Sequence, residues 1–303
     1  MRRAARNRSS RTPIEYDRTL RHQPGTKGAA VRTIAIINRK GGSGKTTTAV
    51  NTAAALAEIG HHVLILDLDP QGSASEWLDR EGDDRGLSEA YLGRSDLARI
   101  AVETDTPGVH IVPAAPWLVT AERTLLGEIS LGISRAISRL PERWSFVLVD
   151  CPPSLSYLSI GVLMGVRELI IPVEAHAMAL TGADAVIDEL PAVQKLNPDL
   201  TPAHLLPCRV TRTNHSRSVI ATLEADYPEI VTRARIRESI KLAEAAEARQ
   251  PITTFARTSA GSLDYRAFAA ELLERAIPAV GRNGSSSRRW WGRLMPNGAA
   301  SAR

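Results

Sequence analysis

The chain has few cysteines, few aromatic residues and no long apolar run. Only two cysteines, Cys151 and Cys208, occur in 303 residues, so a disulfide framework is excluded and a reducing compartment is indicated. Aromatic residues make up 4% of the chain, which predicts a core built from Ala, Val, Leu and Ile. No apolar run approaches the roughly 18 residues of a membrane span, and Arg167 interrupts the best candidate.

Acidic residues are scarce at both ends of the chain. Residues 1–32 hold nine Lys or Arg against two acids, a net charge of +7, and residues 281–303 hold five Arg and no acid. Because the whole chain carries +5, the segment 33–280 between them carries −7. We therefore predict disordered basic tails over 1–30 and 281–303 and a single folded domain over 31–280. Basic tails either contact polyanions such as nucleic acid or serve as passive, solubilising segments.

The central segment alternates between patterns typical of strands and of helices. The strands are predicted near 33–38, 62–67, 109–112, 145–150, 168–173 and 204–210. The helices are predicted near 45–59, 74–80, 120–139, 155–165, 178–195, 215–225 and 262–277. Residues 79–108 are polar, and we expect them to form an irregular surface excursion. The alternation predicts an α/β fold in which a doubly wound, mostly parallel sheet carries helices on both faces.

A glycine-rich loop follows the first predicted strand and precedes the first predicted helix. It almost matches the phosphate-binding pattern G-x-x-x-x-G-K-[ST], but Arg39 stands where the first glycine belongs, and a second lysine, Lys40, follows it. Strand, loop and helix in this order place a phosphate on a helix N-terminus. The expected phosphate-binding residues are Gly41, Gly42, Ser43, Gly44, Lys45, Thr46 and Thr47.

Carboxylates follow two further predicted strands. Asp67 and Asp69 come directly after the second strand, and Asp150 ends the strand near 145–150. Ligands of open α/β sheets bind at the carboxyl ends of the strands, so these side chains and the glycine loop should converge. Mg²⁺ prefers oxygen ligands, and the combination predicts a site for a metal–triphosphate.

These motifs resemble those of the ParA family of partition ATPases, part of a wider group with a deviant Walker A loop that includes MinD. The segment Lys40–Thr48 resembles the deviant loop, Asp67–Gly72 resembles the second acidic motif, and Asp150–Ser154 resembles the Walker B motif. Further similarity lies in four short segments: Pro172–Glu174, Ala179–Gly182, Thr211–Asn214 and Tyr265–Ala269. The resemblance covers roughly residues 33–277.

The resemblance implies that the cofactors are ATP and Mg²⁺ and that two lysines act in catalysis. Lys45 would bind the β- and γ-phosphates within its own subunit. Lys40 would reach across an ATP-dependent homodimer to the phosphates of the partner, which explains the additional cation of the loop.

The resemblance also assigns the metal and the water. Thr46 would ligate Mg²⁺, Asp150 would contact it through water, and Asp67 would support the metal shell. Asp69 would orient or activate the attacking water and so count among the catalytic residues. The implied activity is a weak intrinsic ATPase.

Family members of this kind bind double-stranded DNA without sequence preference. The basic residues at matching or neighbouring positions are Arg212, Arg235, Arg237 and Lys241. Only about 30 residues precede the glycine loop, too few for a helix-turn-helix domain, which argues against operator binding. The implied function is the partition of a plasmid or chromosome. The protein would act in the cytoplasm, on the nucleoid, and a ParB-like partner protein would stimulate its ATP hydrolysis.

Two other functions share this loop. In a MinD-like membrane-cycling ATPase, a C-terminal helix anchors the protein, and a short helix here would carry four apolar residues on one side: Trp290, Trp291, Leu294 and Met295. Pro296 and Gly292 make that helix poor, so the sequence argues against a membrane partner. An electron-transfer reductase of the nitrogenase iron-protein kind needs two suitably placed cysteines in each subunit, and the positions of Cys151 and Cys208 exclude it.

Overall fold

The computed structural model describes residues 31–124, 126–153, 156–176, 180–201 and 204–275. The two predicted basic tails, including Trp290 and its neighbours, lie outside these residues. Among the described helices, none is long and apolar enough to cross a membrane.

The described residues form seven strands and twelve helices. The strands are β1 (Arg32–Ile36), β2 (Val63–Asp67), β3 (Val102–Glu103), β4 (Val109–Val112), β5 (Phe146–Asp150), β6 (Glu168–Glu174) and β7 (His204–Cys208). The helices are α1 (Lys45–Glu58), α2 (Ser73–Trp77), α3 (Asp84–Tyr91), α4 (Leu97–Ile100), α5 (Trp117–Thr124), α6 (Leu126–Ser138), α7 (Tyr157–Gly165), α8 (Leu180–Gln194), α9 (Asn214–Asp226), α10 (Ile240–Glu247), α11 (Ile252–Phe255) and α12 (Ala260–Glu274).

One sheet of order β3-β4-β2-β5-β1-β6-β7 runs through the molecule. Every neighbouring pair is parallel except β3 and β4, at the edge, which are antiparallel. The strands β2, β5 and β6 are buried along their whole length, as expected of parallel strands covered on both faces. The predicted doubly wound, mostly parallel sheet is confirmed.

The core consists of two layers, one on each face of the sheet. In β1, Ala35 points into a layer formed with α3 and α5–α9, whereas Ile34 and Ile36 point into a layer formed with α1, α2 and α10–α12. Successive side chains of a strand face opposite sides, so one apolar strand supplies both layers. Helices therefore cover both faces, as predicted.

The prediction of an irregular excursion over 79–108 was wrong. This segment contains α3, α4 and β3, and Leu87, Tyr91 and Leu97 are buried in the core. Asp83 caps α3 because its carboxylate accepts hydrogen bonds from the backbone N–H groups of Arg85 and Gly86. The polar residues that suggested a loop form the solvent face of a short amphipathic helix.

The described residues on both sides of residue 125 are helical (α5 and α6), as predicted over 120–139, although α5 begins earlier, at Trp117. Two smaller differences remain. The prediction missed α10 and α11, which are short. The strand β7 ends at Cys208 rather than at residue 210, because Arg209 adopts a φ of 50°, which leaves the extended conformation.

Candidate functional site: a phosphate loop facing buried carboxylates

The glycine loop occupies residues 38–44, between the end of β1 and the start of α1. Asn38 fixes its entry, since the side-chain amide donates to the carbonyl of Pro172 (2.7 Å) and the side-chain oxygen accepts from the N–H of Lys40 (2.9 Å). Gly42 and Gly44 have φ of 75° and 92°, a conformation that other residues rarely adopt. Turns of this kind direct consecutive N–H groups to one side, where they can hold an anion.

Lys45 lies at the first position of α1 and is only 7% exposed. Its ammonium group folds back toward the loop, 3.5 Å from the carbonyl oxygen of Lys40. A positive charge inside the loop, at the N-terminus of a helix, favours a bound phosphate. The structure therefore places Lys45 where the sequence predicts a phosphate ligand.

Two carboxylates lie side by side at the carboxyl end of the sheet. Asp67 and Asp150 are register partners at the ends of β2 and β5, and both are buried. Thr46 donates its hydroxyl to Asp150 Oδ2 at 2.7 Å, which joins α1 to the end of β5. The convergence of the loop, Thr46 and these carboxylates was predicted from the sequence, and the structure brings them together.

Burial raises the pKa of both carboxyl groups, and the charge of a neighbouring carboxylate raises it further, Asp67 in the case of Asp150 and Asp69 in the case of Asp67. Asp150 has its pKa raised well above the ordinary value by burial and by the nearby charge of Asp67, against the opposing effects of Thr46 and Lys45. Burial raises the pKa of Asp67 to about 6, although hydrogen bonds from Ser75 lower it. Two adjacent buried carboxylates are costly unless a cation lies between or beside them.

The donor atoms fit a hard divalent cation. Asp150 Oδ1 is buried and has no hydrogen-bond partner among the described residues, and the same is true of Ser43 Oγ. The oxygens of Thr46, Asp67 and Asp150 are the ligand type that Mg²⁺ prefers. The excess negative charge of the pair is the feature that a divalent cation would relieve.

Asp69 differs from these carboxylates because it is only partly buried. It lies in the turn between β2 and α2, where Oδ1 accepts a hydrogen bond from the N–H of Gln71 (3.0 Å) and the carbonyl accepts from the N–H of Gly72 (2.8 Å). The turn thus holds Asp69 partly exposed beside the buried Asp67, whose Oδ1 accepts a hydrogen bond from the N–H of Asp69.

Lys40 does not point into the loop. Its ammonium group lies 2.5 Å from Glu174 Oε2, at the end of β6, and the side chain is 38% exposed. The neighbouring Arg39 lies 3.6 Å from Glu189 on α8, and both of these side chains are half-exposed. Arg39 and Lys40 thus both form ion pairs with acidic residues outside the loop, on α8 and β6 respectively.

The predicted DNA-binding residues lie on two adjoining segments. The segment after β7 and the segment before α10 are joined by a bridge between Val210 and Arg237. In this region Arg235 pairs with Glu224, Arg237 with Asp264 and Lys241 with Glu244. Among the described residues Arg212 has no such acidic partner, and it is exposed.

Several residues that shape the site were assigned no role from the sequence. Ser75 donates both its N–H (2.8 Å) and its hydroxyl (2.6 Å) to Asp67 Oδ2, and its hydroxyl accepts from the N–H of Ala114. Gly182 lies against the loop, and a Cβ there would be 2.6 Å from Asn38 Oδ1. Glu174 holds Lys40. Glu174 and Gly182 both had a sequence signal, since each lies in a segment that resembles the ParA family; nothing in the sequence marks Ser75.

The chain is similar to characterised proteins over most of its length. A family model described as AAA domain matches residues 31–202. The chromosome-partitioning ATPase Soj of Thermus thermophilus is 38% identical over 256 residues, covering 83% of this chain and 99% of Soj. The chromosome partitioning protein ParA of Myxococcus xanthus is 31% identical over 267 residues, 86% of this chain and 94% of that protein.

A solved structure is similar as well. It is the cobyrinic acid a,c-diamide synthase of Mycobacterium smegmatis with a bound ATP analogue and magnesium, with a TM-score of 0.67 and 31% identity. The similarity covers 88% of this chain and 99% of that structure.

Proposed function

Because this chain belongs to the AAA-domain family that includes the Soj and ParA partitioning ATPases, we propose that it is an ATPase that partitions DNA. ATP binding joins two copies of the chain into a dimer, and the dimer binds DNA without sequence preference. Hydrolysis, stimulated by a ParB-like protein, separates the dimer and releases the DNA. The cycle operates on the nucleoid in the cytoplasm.

The observation that supports this function best is the convergence at the carboxyl end of the sheet. The glycine loop has positive φ at Gly42 and Gly44 and is followed by the buried Lys45. The Thr46–Asp150 hydrogen bond connects the start of α1 to the end of β5. These groups supply N–H donors and a cation for phosphates and oxygen ligands for a metal. The chain binds ATP with Mg²⁺ at this place.

Each residue of the site has one task. The loop from Gly41 to Thr47 and the ammonium of Lys45 hold the phosphates, while Thr46, Asp67 and Asp150 hold Mg²⁺. When bound there, Mg²⁺ would supply positive charge against the phosphate oxygens. Asp69, at the open mouth of the site, orients the attacking water. Phosphoryl transfer depends mainly on such positioning and charge stabilisation.

Lys40 makes the site depend on a second copy of the chain. Its side chain lies outside its own loop and is partly exposed, so it can extend toward a facing subunit. A lysine that contacts the phosphates bound to the partner subunit stabilises the dimer only when nucleotide is present. This property converts ATP binding into assembly.

The surface around Arg212 is the proposed contact with DNA. Arg212 is exposed on the segment after β7, and no described acidic group neutralises it, in contrast to Arg235, Arg237 and Lys241. The three paired residues would need to exchange an acidic partner for a phosphate. Binding that rests on phosphate contacts weakens steeply as salt concentration rises.

The first test is DNA binding by the Arg212→Glu variant. In low salt with ATP, we expect wild type to shift a random-sequence duplex in a gel and the variant to lose most of this binding, while its ATPase rate stays unchanged. The matched control is Arg99→Glu on α4, which makes the same charge change at another exposed position. A normal gel shift by Arg212→Glu would show that DNA does not bind at this surface.

A parallel assay separates DNA partition from membrane cycling. The full chain is sedimented with anionic liposomes, with and without ATP, beside a variant that lacks residues 285–303. The proposal predicts no ATP-dependent pelleting. Pelleting that requires ATP and the C-terminal residues would instead support a MinD-like function.

A further inference from the structure

Glu174 binds two cations at once. Lys40 Nζ lies 2.5 Å from Oε2, and Arg209 Nη1 lies 2.9 Å from Oε1. The carboxylate is 7% exposed, whereas Lys40 and Arg209 are 38% and 56% exposed. One buried anion is thus shared by two cations that can both reach solvent.

The backbone holds this arrangement in place. Asn38 ties the start of the loop to Pro172, two residues before Glu174, and its oxygen accepts from the N–H of Lys40. Arg209 follows β7 in a left-handed conformation, and the N–H of Ala175 donates to Cys208 beside it. The backbone at Lys40 stays anchored to β6, so only the side chain must move to release the ammonium group.

We propose that Glu174 is a positioning residue that holds Lys40 against its own subunit until nucleotide-driven dimerisation draws it away, and that Arg209 is the cation that keeps Glu174 paired afterwards. This inference rests on the proposed function, because it takes Lys40 to act in the partner subunit. It adds a competition between Glu174 and the phosphates of the partner for the same ammonium group.

Arg209 is what allows Lys40 to leave. A buried carboxylate left without a partner is strongly destabilising, so Glu174 alone would retain Lys40. With Arg209 still bound at Oε1, the carboxylate remains neutralised when Lys40 departs. Although burial would raise the pKa of Glu174, the hydrogen bonds from Lys40 and Arg209 hold it below its ordinary value, so both cations face an ionised group at neutral pH.

The two partners of Lys40 therefore have opposite effects on assembly. Removing the charge of Glu174 frees Lys40 and should favour the ATP-bound dimer. Removing Arg209 leaves Lys40 as the main partner of Glu174 and should disfavour the dimer. A purely structural role would make both substitutions act in the same direction, toward weaker assembly.

The first experiment measures the reactivity of Lys40 in the nucleotide-free protein. Reductive methylation followed by mass spectrometry gives the labelling rate of Lys40, with a distant lysine such as Lys195 as internal reference. We expect Glu174→Gln to raise this rate and Arg209→Met to lower it. Glu189→Gln removes the half-exposed acidic partner of Arg39 and is the matched control, expected to leave the rate of Lys40 unchanged. An unchanged rate in Glu174→Gln would overturn the proposal.

The second experiment measures the dissociation constant of the dimer with a non-hydrolysable ATP analogue. We expect a constant about two- to fivefold lower for Glu174→Gln, the range of a single accessible ion pair, and a higher constant for Arg209→Met. Arg209→Lys keeps the cation and should restore near wild-type assembly. Weaker dimerisation of Glu174→Gln, in a variant whose thermal melting shows it folded, would contradict the proposal.

The two experiments separate this inference from the proposed function. If wild type forms no dimer with ATP, the proposed function fails, while the labelling rates still decide whether Glu174 holds Lys40. If wild type dimerises and the labelling rates do not respond to Glu174→Gln, the proposed function stands and the inference fails.

Discussion

At the scale of single residues, the three carboxylates of the site differ in their burial and in their hydrogen bonds within the chain. Asp67 is buried and accepts hydrogen bonds at both oxygens, from Ser75 and from the N–H of Asp69. Asp150 is fully buried and bonded to Thr46. Asp69 is partly exposed and is held by the turn at Gln71. Asp69 alone of the three is placed to act on a water that arrives from solvent.

The Asp69→Ala variant should therefore bind ATP normally and hydrolyse it slowly. We expect a fall in turnover of about 10²-fold, the usual contribution of a general base or a water-orienting group, and accumulation of the ATP-bound dimer. Phosphate release and light scattering measure the two effects. Glu76→Ala removes an exposed carboxylate from the adjacent helix α2 and is the control. Unchanged turnover of Asp69→Ala would remove Asp69 from the catalytic residues.

The sequence predicted the site residues that belong to short local motifs. Lys45, Thr46 and Asp150 belong to short patterns that combine a strand end with a special residue type, and the structure brings them together. The sequence did not predict the role of Ser75, whose hydroxyl donates a hydrogen bond to Asp67, eight residues earlier in the chain, across a turn. A serine forms many possible contacts, and only the geometry of the folded chain selects one of them.

At the scale of secondary-structure elements, the phosphate loop is shaped by the helix beside it. Gly182 in the first turn of α8 lies so close to the loop that a Cβ would be 2.6 Å from Asn38 Oδ1 and 3.3 Å from Lys40 Cβ. The first contact is shorter than van der Waals packing allows, so a larger residue must displace Asn38. The position of the loop thus depends on a residue outside it.

The Gly182→Ala variant tests this dependence. We expect a loss of about 1–3 kcal/mol in the free energy of unfolding from overpacking, and ATP affinity weakened by about tenfold, or 1.4 kcal/mol. Denaturant unfolding and calorimetric titration measure them. The control is Gly127→Ala in α6, where a Cβ meets no atom within 4 Å, so higher helix propensity should raise stability slightly. ATP binding by Gly182→Ala at wild-type affinity would contradict the account.

A buried ion pair at the opposite end of the sheet joins β1 and β6 to α12. Arg32 donates to both oxygens of Glu168, at 2.8 and 2.5 Å, and to the carbonyl of Leu272. His204 lies 3.5 Å from the same carboxylate. Although burial alone would raise the pKa of Glu168, the hydrogen bonds from Arg32 and His204 lower it from its ordinary value of 4.5.

Glu168→Gln should consequently destabilise the protein by about 3–5 kcal/mol at pH 7, because Arg32 would keep a buried charge without its partner. A carboxyl group whose pKa is lowered on folding contributes stability above its unfolded pKa and loses it as pH falls through the folded value. The difference between wild type and variant should therefore shrink below about pH 4. Denaturant unfolding across this pH range measures it.

The control for that prediction is an exposed ion pair of similar length. Arg80 and Asp105 lie 2.7 Å apart, with Asp105 91% exposed, so Asp105→Asn should change stability by about 1 kcal/mol or less. Equal changes in the free energy of unfolding for Glu168→Gln and Asp105→Asn would show that burial does not make the Arg32–Glu168 pair more important for stability.

Elements were predictable where the pattern was long or strongly apolar. The strands β2, β5 and β6 are continuous buried runs, and the sequence located each of them within one or two residues. It missed α3 because Asp83, Asp84 and Arg85 read as a polar loop, whereas Leu87 and Tyr91 bury the other face of a two-turn helix. A short helix gives few repeats of its period, so its pattern does not stand out from a loop.

At the scale of the whole molecule, the two lysines of the phosphate loop lie on different sides of it. Lys45 lies inside the loop, while Lys40 points away from it to Glu174. The parallel sheet could be predicted from the sequence, because alternating strands and helices leave few other topologies. The resting position of Lys40 could not, since it depends on a carboxylate 134 residues further along the chain. Under the proposed function, a second copy of the chain is what would bring Lys40 to a phosphate.

If ATP assembles the dimer through Lys40, the molar mass of the protein in solution should double when nucleotide binds. Light scattering with a non-hydrolysable ATP analogue should show the 32.8 kDa chain at about twice that mass. Lys45→Ala should fail to bind nucleotide and remain monomeric. Lys40→Ala should bind nucleotide and still remain monomeric, and its dimerisation at the wild-type level would contradict the account.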